Sequence, residues 1–326
     1  MNNLKKIGLT ALGTSLIASS AYAGALSVTG SASITFSGND SGTGGNTWSM
    51  SDSVTFSGSG VLDNGFNVTV SYELDSSETG TGNMDSRSVK IDTDGMGVIT
   101  FAGHGGSSAT TSIDASVAGD IWDGFDGAAA VAVGVTGAAL KDSGPGDNSI
   151  LYTLPSMMDG LSVFASLNPQ ESAVNETETG YGLTYTGVEG LTIGYAQGDV
   201  EATTNTKSDE NTMYAKYAMG GITVGIQVSE ADFETGTDYE STSMGISYQV
   251  NDDLSVSYGA QDMEAVGSSN PDQETSAVSV SYTMGSLSIG ASVHNGDSIG
   301  NTAGNDREAY NLSSVSYTHL TLPTKA

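Results

Sequence analysis

Apolar side chains occupy every second position over long stretches of this chain, and that period restricts the folds open to it. In LSVTGSASITF, residues 26–36, one phase is mainly Leu, Val, Ala, Ile and Phe, and the other is Ser and Thr. The segment FNVTVSYEL, residues 66–74, repeats the arrangement. Successive side chains of a β-strand point to opposite faces, so this period predicts strands with one apolar and one polar face.

The same alternation recurs along the chain and predicts about sixteen strands. Clear examples are ILYTLP, LSVFASL, YGLTYTG, LTIGYAQ, NTMYAKYA, ITVGIQVS, SMGISYQV, LSVSYGA, AVSVSYTM and LSIGASV; weaker ones are WSMSDSVTFSG, SRSVKID, VITFAG and EAYNLSS. Asp52 interrupts the pattern, because it falls in the apolar phase between Met50 and Val54. A bulge near the rim, or a later start of that strand, would explain its position.

Short and long connections alternate between these segments. Tight turns such as LDNG, GVEG and AMGG follow one strand of each pair, and long acidic loops follow the other. The longest connection spans residues 104–147. An antiparallel barrel whose two ends differ has this organisation, so we predict an all-β, up-and-down antiparallel β-barrel.

The composition of the two faces indicates which one contacts lipid. The polar face carries Ser, Thr, Gly, Asn and Gln, whereas the outer face of a soluble β-sandwich usually carries Lys and Glu. The apolar face is rich in tyrosine, the side chain that marks membrane interfaces in such barrels. The tyrosines in the apolar phase are Tyr72, Tyr152, Tyr181, Tyr185, Tyr195, Tyr217, Tyr248, Tyr258, Tyr282 and Tyr310. We therefore predict a transmembrane barrel whose polar face lines a water-filled lumen.

The N-terminus has the pattern of an export signal. Lys5 and Lys6 precede an apolar stretch at 7–18, and Ala21-Tyr22-Ala23 has the small-x-small form of a cleavage site. We predict a signal peptide at 1–23 and a mature start at Gly24.

The chain is strongly acidic and contains no cysteine. Its formal net charge is −29, from nine Lys and Arg against 38 Asp and Glu. Without Lys5, Lys6 and Lys325 the balance is 6 − 38 = −32. Such a chain is not expected to bind nucleic acid through its phosphates, and it should attract cations, divalent ones especially.

No pattern of catalytic residues emerges, so we predict that the protein is not an enzyme. Before the tail the mature chain has only His104 and His294, and neither has a G-x-S-x-G segment nearby. The loop segments NDSGTGGN, EADFETGTDYE and GDSIGNTAGND cluster carboxylates that could bind Ca²⁺, but none has EF-hand spacing. Ordinary acidic loops are the simpler interpretation, and no resident cofactor is predicted.

Several segments resemble the general-diffusion porins of Gram-negative outer membranes, the alphaproteobacterial type in particular. They are GALSVTGSASITFSG, DNSILYTLPSMMDGLSVFASL and the final AYNLSS, together with the signal peptide. The resemblance implies a homotrimer of 16-stranded barrels in outer-membrane lipid and lipopolysaccharide, with short periplasmic turns and long extracellular loops. It also implies passive diffusion of small hydrophilic solutes and ions.

In such porins the third loop folds into the barrel, and its acids face basic residues on the wall. By order that loop is 104–147 here. Carried over, the pore-constriction residues are Asp114, Asp120, Asp123, Asp126, Lys90, Lys216 and His104. The usual wall cluster of arginines is nearly absent, which favours a cation-preferring constriction. For any single Asp, a solvated loop charge away from the constriction is an equally good interpretation.

The C-terminus departs from the pattern of the barrel. The apolar phase slips at Ser314–Val315, where the decapeptide VSYTHLTLPT begins, and this decapeptide reads as translated sequencing adapter. We therefore predict a barrel over 24–314 and a non-native tail over 315–326.

The alternative function is that of a secreted acidic structural surface protein, such as a surface-layer or adhesin domain. That alternative does not predict the alternation of long and short connections.

Overall fold

The computed structural model describes residues 26–39, 47–75, 86–113, 148–169, 175–202 and 207–321. These residues form sixteen strands, each antiparallel to the next, and β16 pairs with β1 to close a barrel. The predicted fold class is confirmed. The predicted signal peptide, 1–23, lies outside the described residues, and no helix in the described part of the chain is long and apolar enough to cross a bilayer.

The strands are β1 Leu26–Asn39, β2 Thr47–Val61, β3 Asn67–Asp75, β4 Ser86–Asp92, β5 Val98–His104, β6 Ser149–Thr153, β7 Leu161–Asn168, β8 Asn175–Val188, β9 Leu191–Ala202, β10 Ser208–Met219, β11 Ile222–Phe233, β12 Tyr239–Gln249, β13 Leu254–Ala265, β14 Gln273–Met284, β15 Leu287–Asp297 and β16 Arg307–Thr321. A short helix, α1 Ala109–Ser112, follows β5.

At the tight-turn end of the barrel, a backbone bond joins a turn to the end of the neighbouring strand. Gly190, in the turn from β8 to β9, has φ +75°, and its carbonyl accepts from the Ala218 amide at 2.8 Å. A Cβ at Gly190 would lie 2.4 Å from the Ala218 carbonyl oxygen, so no other residue fits this turn without displacement. The short connections that the sequence predicts thus also bind the neighbouring hairpin.

The apolar phase faces outward and is exposed. Trp48, Ile226 and Val293 are 66%, 46% and 54% exposed, values that exclude a packed core on that side. The outward face of a membrane barrel contacts hydrocarbon, so the exposure of these residues marks the lipid-facing surface.

Asp52 lies on this outward face within an unbroken strand. β2 pairs with β1 continuously, and Asp52 stands directly opposite Ala32. The prediction that a bulge or a late strand start would remove Asp52 from the apolar phase was wrong, because the ladder has no irregularity there.

The last strand extends beyond the predicted end of the barrel. β16 continues to Thr321 and pairs with β1 down to Ser27. Val315 lies opposite Ser33 and Ser288, so the phase slip seen in the sequence places an apolar side chain on the inner face. The boundary at 314 therefore does not mark the end of the strand. That residues 315–326 are non-native stays a prediction.

Deletion of residues 315–326 is expected to prevent stable barrel assembly. Residues 27–33 of β1 would lose their partners on that side, and an unsatisfied backbone group in hydrocarbon costs several kcal/mol. The folded fraction should fall several-fold, measured by heat-modifiable migration on gels after refolding in detergent. Deletion of 322–326 alone is the control, since it removes no described ladder pair. Equal folding of the two truncated chains would contradict the assignment of Val315–Thr321 to the barrel wall.

Candidate functional site

The enclosed face of the barrel is built from the polar phase of the strands. On β10 and β11 the hydroxyls of Thr212 and Ser229 are 2.7 Å apart, and the Gln227 amide donates to both at 3.4 Å. On the next strands the Gln261 amide donates to the Ser241 hydroxyl at 3.0 Å. These side chains satisfy one another across the ladders, as buried polar groups must.

Part of this face is buried, which the sequence did not indicate. Thr212, Gln227 and Ser241 are 0%, 6% and 4% exposed, although their phase predicts a water-lined wall. Lys90, on the opposite part of the wall, is exposed. The inner wall therefore has a covered side on β10–β14 and a more open side around β4.

The first turn of the longest loop lies against the inner wall. Ser108 caps α1: its hydroxyl accepts from the Thr111 amide, and the Thr111 hydroxyl accepts from the Ser108 amide. α1 contacts β7, β8, β9 and β10, and the Ala109 amide donates to the Ser166 hydroxyl at 2.9 Å. The root of the loop is thus directed into the barrel.

An apolar cluster fixes α1 in place. It consists of Ala109, Ile113, Phe164 and Ala196, all buried, with Leu151 and Tyr214 packed against them. Phe164, Leu151 and Tyr214 belong to the inner phase of β7, β6 and β10, where the sequence pattern predicts small polar residues. The sequence does contain a signal for them, since each is a bulky side chain in the otherwise small and polar inner phase. Such a residue marks a position on the inner wall that another part of the chain covers.

The four aspartates assigned to the constriction belong to the part of the long loop that follows α1. Asp114, Asp120, Asp123 and Asp126 lie outside the described residues, as does the rest of 114–147. Their position in the lumen stays a prediction.

Lys90 and Lys216 both occupy the inner phase, as predicted. Lys90 on β4 stands between Thr69 and Thr100, and Lys216 on β10 stands between Thr192 and Gly225. Lys216 is the next inward residue after Tyr214, and therefore lies one step from the α1 cluster towards the tight-turn end. The two lysines lie on different sides of the barrel, so the structure does not bring them together.

His104 lies at an irregular point of the β4–β5 ladder. A β-bulge between β4 and β5 pairs His104 with Arg87, whose neighbour on the other side is the outward-facing Tyr72. The Arg87 guanidinium donates to the Gly103 carbonyl at 3.2 Å and so lies across the bulge. The extra residue at the bulge makes the strand irregular next to His104, and the assignment of His104 to the pore constriction stays a prediction.

The other histidine does lie on the inner face. His294 on β15 is 2% exposed, and its Nε2 lies 2.7 Å from the Ser292 hydroxyl oxygen. Within the described part of the chain, no three His, Cys, Asp or Glu side chains are grouped so that they could hold a metal ion.

Together these features define a transmembrane β-barrel with an outward apolar face and an enclosed polar one. A family model described as Gram-negative porin matches residues 8–319, and the chain belongs to that family. The protein is accordingly an outer-membrane porin, and the alternative of a secreted structural surface protein is not supported.

Solved structures confirm the fold at low identity. The OmpT loop L8 deletion mutant of Vibrio cholerae matches with TM-score 0.70 and 13% identity, over 90% of this chain and 99% of that one. The anion-selective porin from Comamonas acidovorans matches with TM-score 0.69 and 14% identity, over 90% and 99%. A trimer form of in-vitro folded OmpT from Vibrio cholerae matches with TM-score 0.69 and 14% identity, over 91% and 100%. A comparison with curated protein sequences finds no match.

The two faces can be tested with adjacent cysteines, since the chain has none of its own. Lys216→Cys should react with a charged, water-soluble thiol reagent roughly ten-fold faster than Tyr217→Cys in lipid vesicles, because thiolate formation needs water. The reaction is followed by mass spectrometry, with both variants labelled fully after denaturation as a control. Equal rates would contradict the assignment of Lys216 to the lumen.

Proposed function

We propose that the barrel is a water-filled diffusion channel for small hydrophilic solutes and that it prefers cations. The observation that carries this proposal is the charge of the inner phase. Among inner-phase side chains of the described strands, the acids are Glu73, Asp75, Asp92, Glu178 and Glu210, and the bases are Lys90, Lys216 and Arg307. Acids outnumber bases, as in the whole chain at −29.

Such a lumen raises the local concentration of cations. Low-dielectric walls focus the field of fixed charges into a channel, and rings of acidic side chains select cations. The Comamonas neighbour is described as anion-selective, so this preference would distinguish the present chain from a porin with the same fold.

We further propose that loop 104–147 forms the constriction. Its root follows β5, yet α1 is bonded to Ser166 on β7 and packs near Tyr214 on β10. This path along the inner wall supports a loop that continues inside the barrel. The proposed constriction contains the loop acids Asp114, Asp120, Asp123 and Asp126, with Lys90 and Lys216 on the wall.

Planar-bilayer recordings under a KCl gradient should show stepwise openings with a cation-selective reversal potential. Neutralising the four loop acids should reduce the permeability ratio of K⁺ to Cl⁻ several-fold, because the field at the constriction then weakens. The variant is Asp114→Asn, Asp120→Asn, Asp123→Asn and Asp126→Asn.

A matched control removes four acids from the outward face instead. It is Glu240→Gln, Asp262→Asn, Glu264→Gln and Glu274→Gln, all exposed residues in the outward phase of β12, β13 and β14. An equal loss of selectivity in both variants would assign the effect to surface potential. Anion selectivity of the unaltered protein would reject the cation preference.

We also propose a homotrimer with its interface on the outward face of β1, β2 and β16. That face includes Gly30, Ala32, Gly58 and Ser314, small or polar residues, with Asp52 opposite Ala32. A carboxylate facing hydrocarbon costs up to a few kcal/mol, so a protein partner is a better environment for Asp52 than lipid. The OmpT neighbour in trimer form supports this assembly. Elsewhere the outward band contacts outer-membrane lipid, with lipopolysaccharide at the long-loop end.

Asp52→Arg is expected to shift the protein from trimer to monomer. The larger, oppositely charged side chain would disturb the proposed interface while leaving the barrel closed. The molar mass is measured by light scattering in detergent. The control is Val224→Arg. Val224 lies on the outward face of β11 and is 42% exposed, and this variant should stay trimeric. An unchanged trimer in Asp52→Arg would place the interface elsewhere.

A further inference from the structure

Glycines on the inner face of β8 and β9 form a groove beneath α1. Gly180 and Gly182 lie on β8, and Gly194 lies on β9, all in the inner phase. No side chain rises from the wall at these positions, so neighbouring groups approach the backbone directly.

Two aromatic rings occupy the space that these glycines leave. A Cβ at Gly182 would lie 2.6 Å from the Phe164 ring and 2.8 Å from the Ala196 Cβ. A Cβ at Gly194 would lie 2.1 Å from the Tyr214 ring. The rings of Phe164 and Tyr214 therefore fill the space next to these glycines, and both belong to the cluster that contacts α1.

Gly180 is the position at which the wall meets α1 itself. A Cβ there would lie 3.1 Å from the Ala109 Cβ, 2.9 Å from the Ser166 Oγ and 3.2 Å from the Gln197 carbonyl oxygen. The Ser166 hydroxyl is the acceptor of the Ala109 amide, at 2.9 Å. One added methyl group would therefore press on the helix and on the hydroxyl that holds it.

We propose that Gly180 is the positioning residue that sets where the root of the long loop sits in the lumen, and through it the width and selectivity of the channel. α1 consists of Ala, Thr, Thr and Ser and carries no ionisable side chain, so packing and hydrogen bonds hold it: Ala109 is 0% and Ile113 1% exposed, and the Ala109 amide donates to the Ser166 hydroxyl. A wall residue that decides how closely α1 approaches the wall therefore decides where the root of the loop lies in the lumen. The inference rests on the proposed function as a diffusion channel.

The test is a double-mutant cycle between the wall and the helix. Gly180→Ala is expected to change single-channel conductance by on the order of 1.5-fold and to lower the permeability ratio of K⁺ to Cl⁻, because the loop root leaves its groove. Ala109→Gly/Gly180→Ala removes the Ala109 methyl group, one of the three groups that the added Cβ meets, and should bring both values part of the way back towards those of the unaltered protein. Ala109→Gly alone completes the cycle.

Gly290→Ala is the matched control. Gly290 is an inner-phase glycine on β15, and a Cβ there would meet only the Ser313 Oγ, at 3.1 Å. It should leave conductance unchanged. Thermal unfolding in detergent is measured for every variant, so that a general loss of barrel stability is separated from a shift of the loop.

Each outcome decides the proposal. Altered conductance in Gly180→Ala with recovery in the double variant supports it. Unaltered conductance, or alteration without recovery, overturns it while the unaltered protein still conducts. If the unaltered, folded protein produced no channel openings, the proposed channel function itself would be overturned. The two failures are therefore distinguishable.

Discussion

Closure of the backbone ladder is the constraint on which the rest of this structure depends. A strand in hydrocarbon cannot leave its amide and carbonyl groups unpaired, so every strand needs a neighbour on both sides. The pairing of β1 with β16 supplies the last neighbour and removes the two edges that an open sheet would expose. The alternation of side chains then has a fixed meaning, since one phase must face lipid and the other the lumen.

This inverted arrangement changes what burial means along the chain. Outward residues such as Ile226 and Val293 are exposed because lipid takes the place of a protein core. Inner residues such as Thr212 and Gln227 are buried although they are polar, and they are stable there because cross-strand bonds satisfy them. The ordinary association of apolar with buried therefore fails on the outward face and on this polar part of the inner wall, whereas it holds in the apolar cluster beneath α1.

The sequence predicted the barrel because its evidence is local and repeated. Period-two alternation and alternating loop lengths recur in almost every strand pair, so single errors do not change the fold. The placement of Lys90 and Lys216 on the inner face followed directly from the alternation. At His104 alternation alone is a weaker guide, because a bulge adds one residue to the strand there and leaves no mark in composition.

The α1 cluster could not be predicted for a different reason. Phe164, Leu151 and Tyr214 acquire their role from a helix that is distant from them in sequence. Alternation describes each strand alone and contains no information on what covers the inner face. The extent of β16 over residues 315–321 likewise depends on partners on β1, with β15 pairing as far as Ser316, where the strand's own pattern slips.

The nature of the contacts at α1 bears on how a strongly acidic channel keeps a constant shape. Fixed charges in the lumen are screened over about 8 Å at physiological ionic strength, so forces between a charged loop and a charged wall vary with salt. The root of this loop is held instead by shape, by apolar contact and by hydrogen bonding such as that of the Ala109 amide to the Ser166 hydroxyl, none of which depends on counter-ions to first order. With few bases available on the wall, ionic attachment would be weak in any case. In the channel that we propose, the groups that position the loop root are separate from those that carry charge, so the charges act on the permeating ions while the groove keeps the loop root in place.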